Sequence, residues 1–211
     1  VAFTFFFRDM QILELIVKHA LPELVGRSRI RIWDAGCAMG QETYSLAIIL
    51  AENMGRFSFG NIQIYATDVE ENSSFGDTVR SGVYNEEDLK RIPPGLLDKY
   101  FVPLERGTRF QAIDAIRSRI TYARHDLLTL QPVRNDFSLV LCKNVLLHFG
   151  QEERVKVMSM FHDCLTPDGY FATEQTQKMP DDAQHSFVKV APDGQIFRKT
   201  EGSSRVSGGA S

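Results

Sequence analysis

Only three cysteines occur in the 211 residues: Cys37, Cys142 and Cys164. No two share a CxxC spacing and no Cys/His set has zinc-finger spacing, so neither a disulfide framework nor a structural metal site is indicated. Dispersed thiols suit a reducing compartment, which predicts a cytoplasmic protein. No apolar run approaches the ~18 residues of a membrane helix. A signal peptide, with its basic start and long apolar stretch, is not expected either. Basic charge is also in short supply. Lys+Arg number 24 against 27 Asp+Glu, giving a net charge of −3, whereas a nucleic-acid binder usually carries a basic face. Neither GxxxxGK[ST] nor GxGxxG is found, so phosphoryl transfer and dinucleotide binding lack support.

What is present is ordinary globular composition, 43% hydrophobic and 24% charged. A chain of this length buries roughly 70% of its unfolded surface, enough for one core without staples. The start at Val1 rather than Met leads us to expect further N-terminal sequence. The Gly/Ser-rich end, 201–211, reads as a flexible tail.

Along the chain, Asp9 to Leu21 predicts a helix, with Ile12, Leu15, Ile16 and Ala20 on one face and Pro22 after its end. Ile30 to Trp33 predicts a strand that enters the turn 34–40. An almost wholly apolar helix, Tyr44 to Ala51, follows. Ile62 to Thr67 is a second strand, ending in Asp68, with helix near 70–80 beyond it. Residues 101–124 show short extended pieces between charged turns, which predicts an inserted antiparallel β subdomain. Phe137 to Cys142 is a buried-type strand and Gln151 to Leu165 a helix. Tyr170 to Thr173 begins another strand. Phe187–Val190 and Ile196–Lys199 flank the turn Pro192-Asp193-Gly194 and form a terminal hairpin. Alternating strands and helices predict an α/β fold with a mostly parallel sheet and one antiparallel strand at its end.

Ligands of such sheets bind beyond the carboxyl ends of the strands. Three segments lie there. The loop Asp34 to Gly40 has glycines that admit a close ligand, or is merely a strand-to-helix turn. Asp68 can accept both hydroxyls of a ribose, or can cap the next helix. Cys142-Lys143-Asn144 ends a third strand, and Asp126 can accept from an adenine amino group. A glycine loop with a ribose-type acid but no phosphate grip points to a nucleoside cofactor without pyrophosphate, which S-adenosylmethionine is.

Five ordered segments resemble the CheR family of chemotaxis receptor methyltransferases. They are Thr4-Phe5-Phe6-Phe7-Arg8, Trp33 through Ala47, Ala66-Thr67-Asp68, Gly82-Val83-Tyr84 and Cys142-Lys143-Asn144-Val145-Leu146-Leu147-His148-Phe149. The resemblance runs from about residue 3 to residue 200. It implies a class I methyltransferase (Rossmann-like) sheet with a small inserted β subdomain. S-adenosylmethionine would be the cofactor and S-adenosylhomocysteine its product. The reaction would be O-methylation of glutamate side chains on a chemoreceptor-like signalling protein. By position, the resemblance places Thr4 and Arg8 at the methionine end of the cofactor and makes Gly36 and Glu42 cofactor-binding as well. It places Asp68 on the ribose, Asp126 and Leu127 by the adenine, and Cys142 and Lys143 beneath the methionine moiety. Family members usually carry an N-terminal helical domain, which is expected to be absent from this stretch of sequence. A monomer is expected.

A glutamate carboxylate is already ionised at neutral pH, so the reaction needs positioning more than a base. Arg8 is the candidate for orienting the carboxylate, because a guanidinium fork matches two oxygens. The alternative is that Arg8 pairs only with the cofactor carboxylate or with Asp9. His148 stands where the family has tyrosine, and a histidine can both position a group and take a proton. A lone histidine after an apolar run can equally be a structural residue.

Other departures are Lys143 for arginine, Gln41 for the first acid, Thr43 for proline and Asp34 for serine. Ala172-Thr173-Glu174-Gln175-Thr176 stands for the family's G-H-S-E. They keep two other readings open: another acceptor, protein or small hydroxyl compound, with His148 as base, and a cofactor-binding signalling module without catalysis.

Overall fold

The computed structural model describes residues 4–69 and 74–200. The tail 201–211 and the first part of the helical stretch expected near 70–80 lie outside the described residues.

Ten strands, most of them separated by helices, occur among the described residues: β1 Ile30–Ala35, β2 Ile62–Asp68, β3 Val83–Asn85, β4 Phe101–Leu104, β5 Arg109–Ala112, β6 Ile120–Arg124, β7 Phe137–Leu141, β8 Leu165–Ala172, β9 Phe187–Lys189 and β10 Ile196–Lys199. Seven of them form one sheet in the order β6-β2-β1-β7-β8-β10-β9. β6, β2, β1, β7 and β8 run parallel, and β10 is antiparallel to both its neighbours. The expected single reversed strand is therefore β10. Side chains alternate across β1. Ile30 and Ile32 join the core on one face, while Trp33 and Ala35 join the core on the other. Burial on both faces is why these strands read as continuous apolar runs.

The antiparallel insertion differs from its expected span of 101–124. The three-stranded sheet has the order β3-β5-β4 and draws on residues 83–112. Ile120–Arg124 is instead the parallel edge strand β6, paired with β2. Alternation of apolar and polar residues announces a half-buried strand, but it says nothing about which sheet the strand joins.

The first helix also runs further than expected. Met10–Leu15 passes into a π-helical turn, Ile16–Ala20, and ends with Leu21–Leu24. Leu21 N–H bonds to the Ile16 carbonyl, five residues back. The wider turn accommodates Pro22, which has no N–H and whose ring would crowd a tighter helix. No helix among the described residues is long and apolar enough to cross a membrane.

Strand order reverses between β1 and β7. The chain leaves β1 for β2 and β6 on one side, then returns to β7 on the other. A crevice forms beyond the strand ends at such a point.

Candidate active site

A cavity of about 670 Å³ opens at this switch point, within the range of small-molecule sites. Gly36, at the end of β1, lines it with Cys37 and Ala38. The loop is held by the neighbouring strand, since the N–H groups of Gly36 and Cys37 both donate to the Thr67 carbonyl. Gly36 has φ +96°, and a Cβ there would run into the Val145 side chain. Gly40, at φ +87°, sits against Val79 and the Tyr84 hydroxyl, and that hydroxyl donates to the Met39 carbonyl across 2.8 Å. The small β sheet thus braces the glycine loop through Tyr84.

Asp68 ends β2 on the cavity wall. Its Oδ2 accepts from Ala38 N–H at 2.9 Å, so it grips the loop. Asp126 and Leu127 follow β6 and also line the cavity. Asp126 Oδ1 accepts from Leu128 N–H at 2.9 Å. His125 lines the wall beside them. Its Nε2 lies 2.7 Å from the Gln131 carbonyl, and its ring stands edge-on to Trp33.

Lys143 is almost completely enclosed, its side chain 1% exposed. Its ammonium lies 2.7 Å from Glu42 Oε2, donates to the Arg8 carbonyl at 3.0 Å and lies 3.6 Å from Asp9. Burial pushes the Glu42 carboxyl up from its ordinary value, against the pull of Lys143. Arg8 and Thr4 reach the cavity from the N-terminal segment, and Arg8 Nη2 donates to Asn144 Oδ1 at 3.0 Å. Phe7 and Asp9, on either side of Arg8, have φ values of +57° and +54°. The Phe7 N–H bond to Ser45 Oγ helps to hold that turn. His148 is exposed at the end of a short 3₁₀ turn, Leu146–His148, and lines the cavity with Leu147 and Phe149.

One predicted residue falls elsewhere. Cys142 does not line the cavity: it is fully buried, in the core that contains Trp33 and Phe171. Its N–H still bonds to the Ala172 carbonyl, so it completes the strand ladder and points into the sheet's packing. Burial pushes its thiol well up, which keeps it protonated. All three cysteines are free and buried.

Two residues without an assigned site role from the sequence also matter. Asn144, at φ +57°, holds Arg8, and the buried Glu174 holds the Asn144 N–H at 2.9 Å. The motif position of Asn144 was a signal for it, and Glu174 stands in the segment that replaces the family's G-H-S-E.

A family model described as CheR methyltransferase, SAM binding domain, matches residues 2–194. Similar proteins include the probable chemotaxis protein methyltransferase of Rhizobium etli. It is 30% identical over 194 residues, covering 89% of this chain and 72% of that protein. Chemotaxis protein methyltransferase 1 of Pseudomonas aeruginosa is 34% identical over 206 residues, covering 92% of this chain and 73% of that one. Among solved structures, magnesium protoporphyrin IX methyltransferase (ChlM) from Synechocystis PCC 6803 with bound SAM matches with a TM-score of 0.50 at 16% identity. That match covers 90% of this chain and 79% of the other, and at such identity it speaks for the fold alone.

Proposed function

The chain belongs to the CheR methyltransferase family, and from that premise we propose that its cavity binds S-adenosylmethionine and that it O-methylates glutamate side chains of a chemoreceptor. It is an S-adenosylmethionine-dependent methyltransferase. One observation carries the residue assignments. Every expected site residue except Cys142 lines a single cavity at the switch point, although they come from five separate segments of the chain.

The donor set suits the cofactor. Asp68 would take the ribose hydroxyls. Asp126 and Leu127 would flank the adenine, with His125 and Leu128 completing that wall. Glu42 would meet the amino group of the methionine moiety, and Thr4 and Gly36 would border its chain. A cavity of about 670 Å³ holds a ligand of this size with space left for a carboxylate. When bound, S-adenosylmethionine supplies a methyl group activated by its sulfonium.

The chain's own residues then position the acceptor. Arg8 offers a planar fork to the incoming carboxylate. It is braced at its carbonyl by Lys143 and at its guanidinium by Asn144. The apolar side chains of Val145, Leu147 and Phe149 line the same cavity and keep water from the attacking oxygen. The acceptor is anionic at neutral pH, so His148 serves as a positioning group at the mouth. Monomeric state and cytoplasmic location complete the proposal, and the three free, buried thiols support the location.

The test is calorimetry with S-adenosylhomocysteine, followed by methyl transfer to receptor cytoplasmic fragments with and without their glutamates. Base-labile label on the glutamate-containing fragment alone supports the proposal. Cofactor binding with no transfer to any fragment would leave only a binding module.

A further inference from the structure

Arg8 lies in a segment without regular structure, between two residues held in the left-handed region. Such a turn does not fix a long side chain by itself. Asp9 Oδ2 lies 3.7 Å from the Arg8 Nε and the Phe5 ring lies under the guanidinium, and a directional bond comes from the ends of β7 and β8. Asn144 Oδ1 accepts from Arg8 Nη2 at 3.0 Å. Asn144 is itself left-handed, at φ +57°, a conformation open to asparagine that leaves its N–H free to be held. Glu174 holds it. Its Oε2 accepts from Asn144 N–H at 2.9 Å and from the Thr173 hydroxyl at 2.7 Å. The residue is only 3% exposed and does not line the cavity. Glu174 Oε1 is buried and has no hydrogen-bond partner among the described residues, so one oxygen makes all its bonds.

We propose that Glu174 is a positioning residue for Arg8, acting through Asn144: one carboxylate oxygen fixes the Asn144 backbone, and the Asn144 amide then fixes the guanidinium. The inference rests on the assignment of Arg8 to the acceptor carboxylate.

The chain of bonds depends on reach rather than charge. A glutamine at 174 presents an oxygen at the same distance. An aspartate keeps the charge but withdraws the oxygen by about one methylene, roughly 1.5 Å, which is too far for the Asn144 N–H. Both changes are small enough for the chain to fold. The experiment measures kcat and KM for methyl transfer to a receptor cytoplasmic fragment, and S-adenosylhomocysteine affinity by calorimetry.

Glu174→Gln is expected to keep kcat within about threefold of the parent. Glu174→Asp is expected to lower it about tenfold, with S-adenosylhomocysteine affinity changed by less than about twofold. In an Arg8→Lys background the Glu174→Asp loss is expected to vanish, because residues that act as a unit are not additive. The reverse order, with aspartate active and glutamine inactive, would overturn the inference in favour of a charge effect. Equal activity of both variants, or full additivity with Arg8→Lys, would overturn it as well. If Arg8→Lys itself leaves turnover unchanged, the assignment of Arg8 is what fails; if it lowers turnover while Glu174→Asp does not, the role of Glu174 alone fails.

Discussion

Thr43 Oγ1 donates a hydrogen bond to Asp34 Oδ2 across 2.5 Å, and both residues are fully buried. The CheR pattern has proline and serine at these two positions, so two departures from it meet as donor and acceptor. Burial, and then the Glu42 charge, push the Asp34 carboxyl well above the usual carboxylate range; Thr43 and Lys143 pull the other way. A carboxyl with a raised pKa binds its proton more tightly in the folded state. Its stabilisation is fully present below the unfolded value, near 3.8, and is lost as pH rises towards the folded value.

Asp34→Asn removes this titration and keeps an acceptor for Thr43. From pH 5 to pH 8 the variant is expected to gain on the parent, by at most about 1.4 kcal/mol per pH unit. Urea midpoints at the two pH values measure it. A constant gap would mean that Asp34 titrates alike folded and unfolded.

Lys143→Met is expected to destabilise by about 3 kcal/mol, because it leaves the buried Glu42 without its partner. It also removes a donor from the Arg8 carbonyl. The double change Lys143→Met/Glu42→Gln should recover a large part of the loss in urea denaturation, while S-adenosylhomocysteine affinity stays low. Equal stability of single and double variants would show that the ion pair is not what the lysine stabilises.

The parallel sheet was legible because its strands are buried on both faces and its turns carry glycine and proline. The cofactor loops were legible because motif order is independent of where strands pair. Other features were not. β3 is three residues long and has too few positions for a period. β6 alternates as a strand of either sheet would. Cys142 stands at a strand end, which suggested the ligand side, but its side chain follows the pleat into the core. The link from Glu174 to Arg8 depends on the left-handed backbone of Asn144, and residue type alone does not reveal that conformation.

Gly36→Ala tests the closeness of the loop to the segment that follows β7. At φ +96° an alanine is strained, at a cost of roughly 1–2 kcal/mol, and its methyl would also overlap Val145. S-adenosylhomocysteine affinity is expected to fall more than about tenfold. Val145→Ala in the same chain removes the nearest clashing atom and should restore part of the loss, leaving the backbone component. No recovery would place the whole effect in the backbone.

His148 separates the carboxylate reading from acceptors that need a proton removed. A general base contributes typically about 10²–10⁴-fold, so if His148 took a proton from a hydroxyl, alanine and tyrosine would both lose at least that much. A carboxylate acceptor has no such proton at neutral pH. His148 is exposed at the cavity mouth, where a tyrosine, the family residue, has space to stand. His148→Tyr is therefore expected to keep kcat within about threefold on a receptor fragment, and His148→Ala to lose about tenfold through poorer positioning. A loss beyond a hundredfold in the tyrosine variant, with cofactor binding intact, would make His148 a base and exclude an ionised carboxylate as the acceptor.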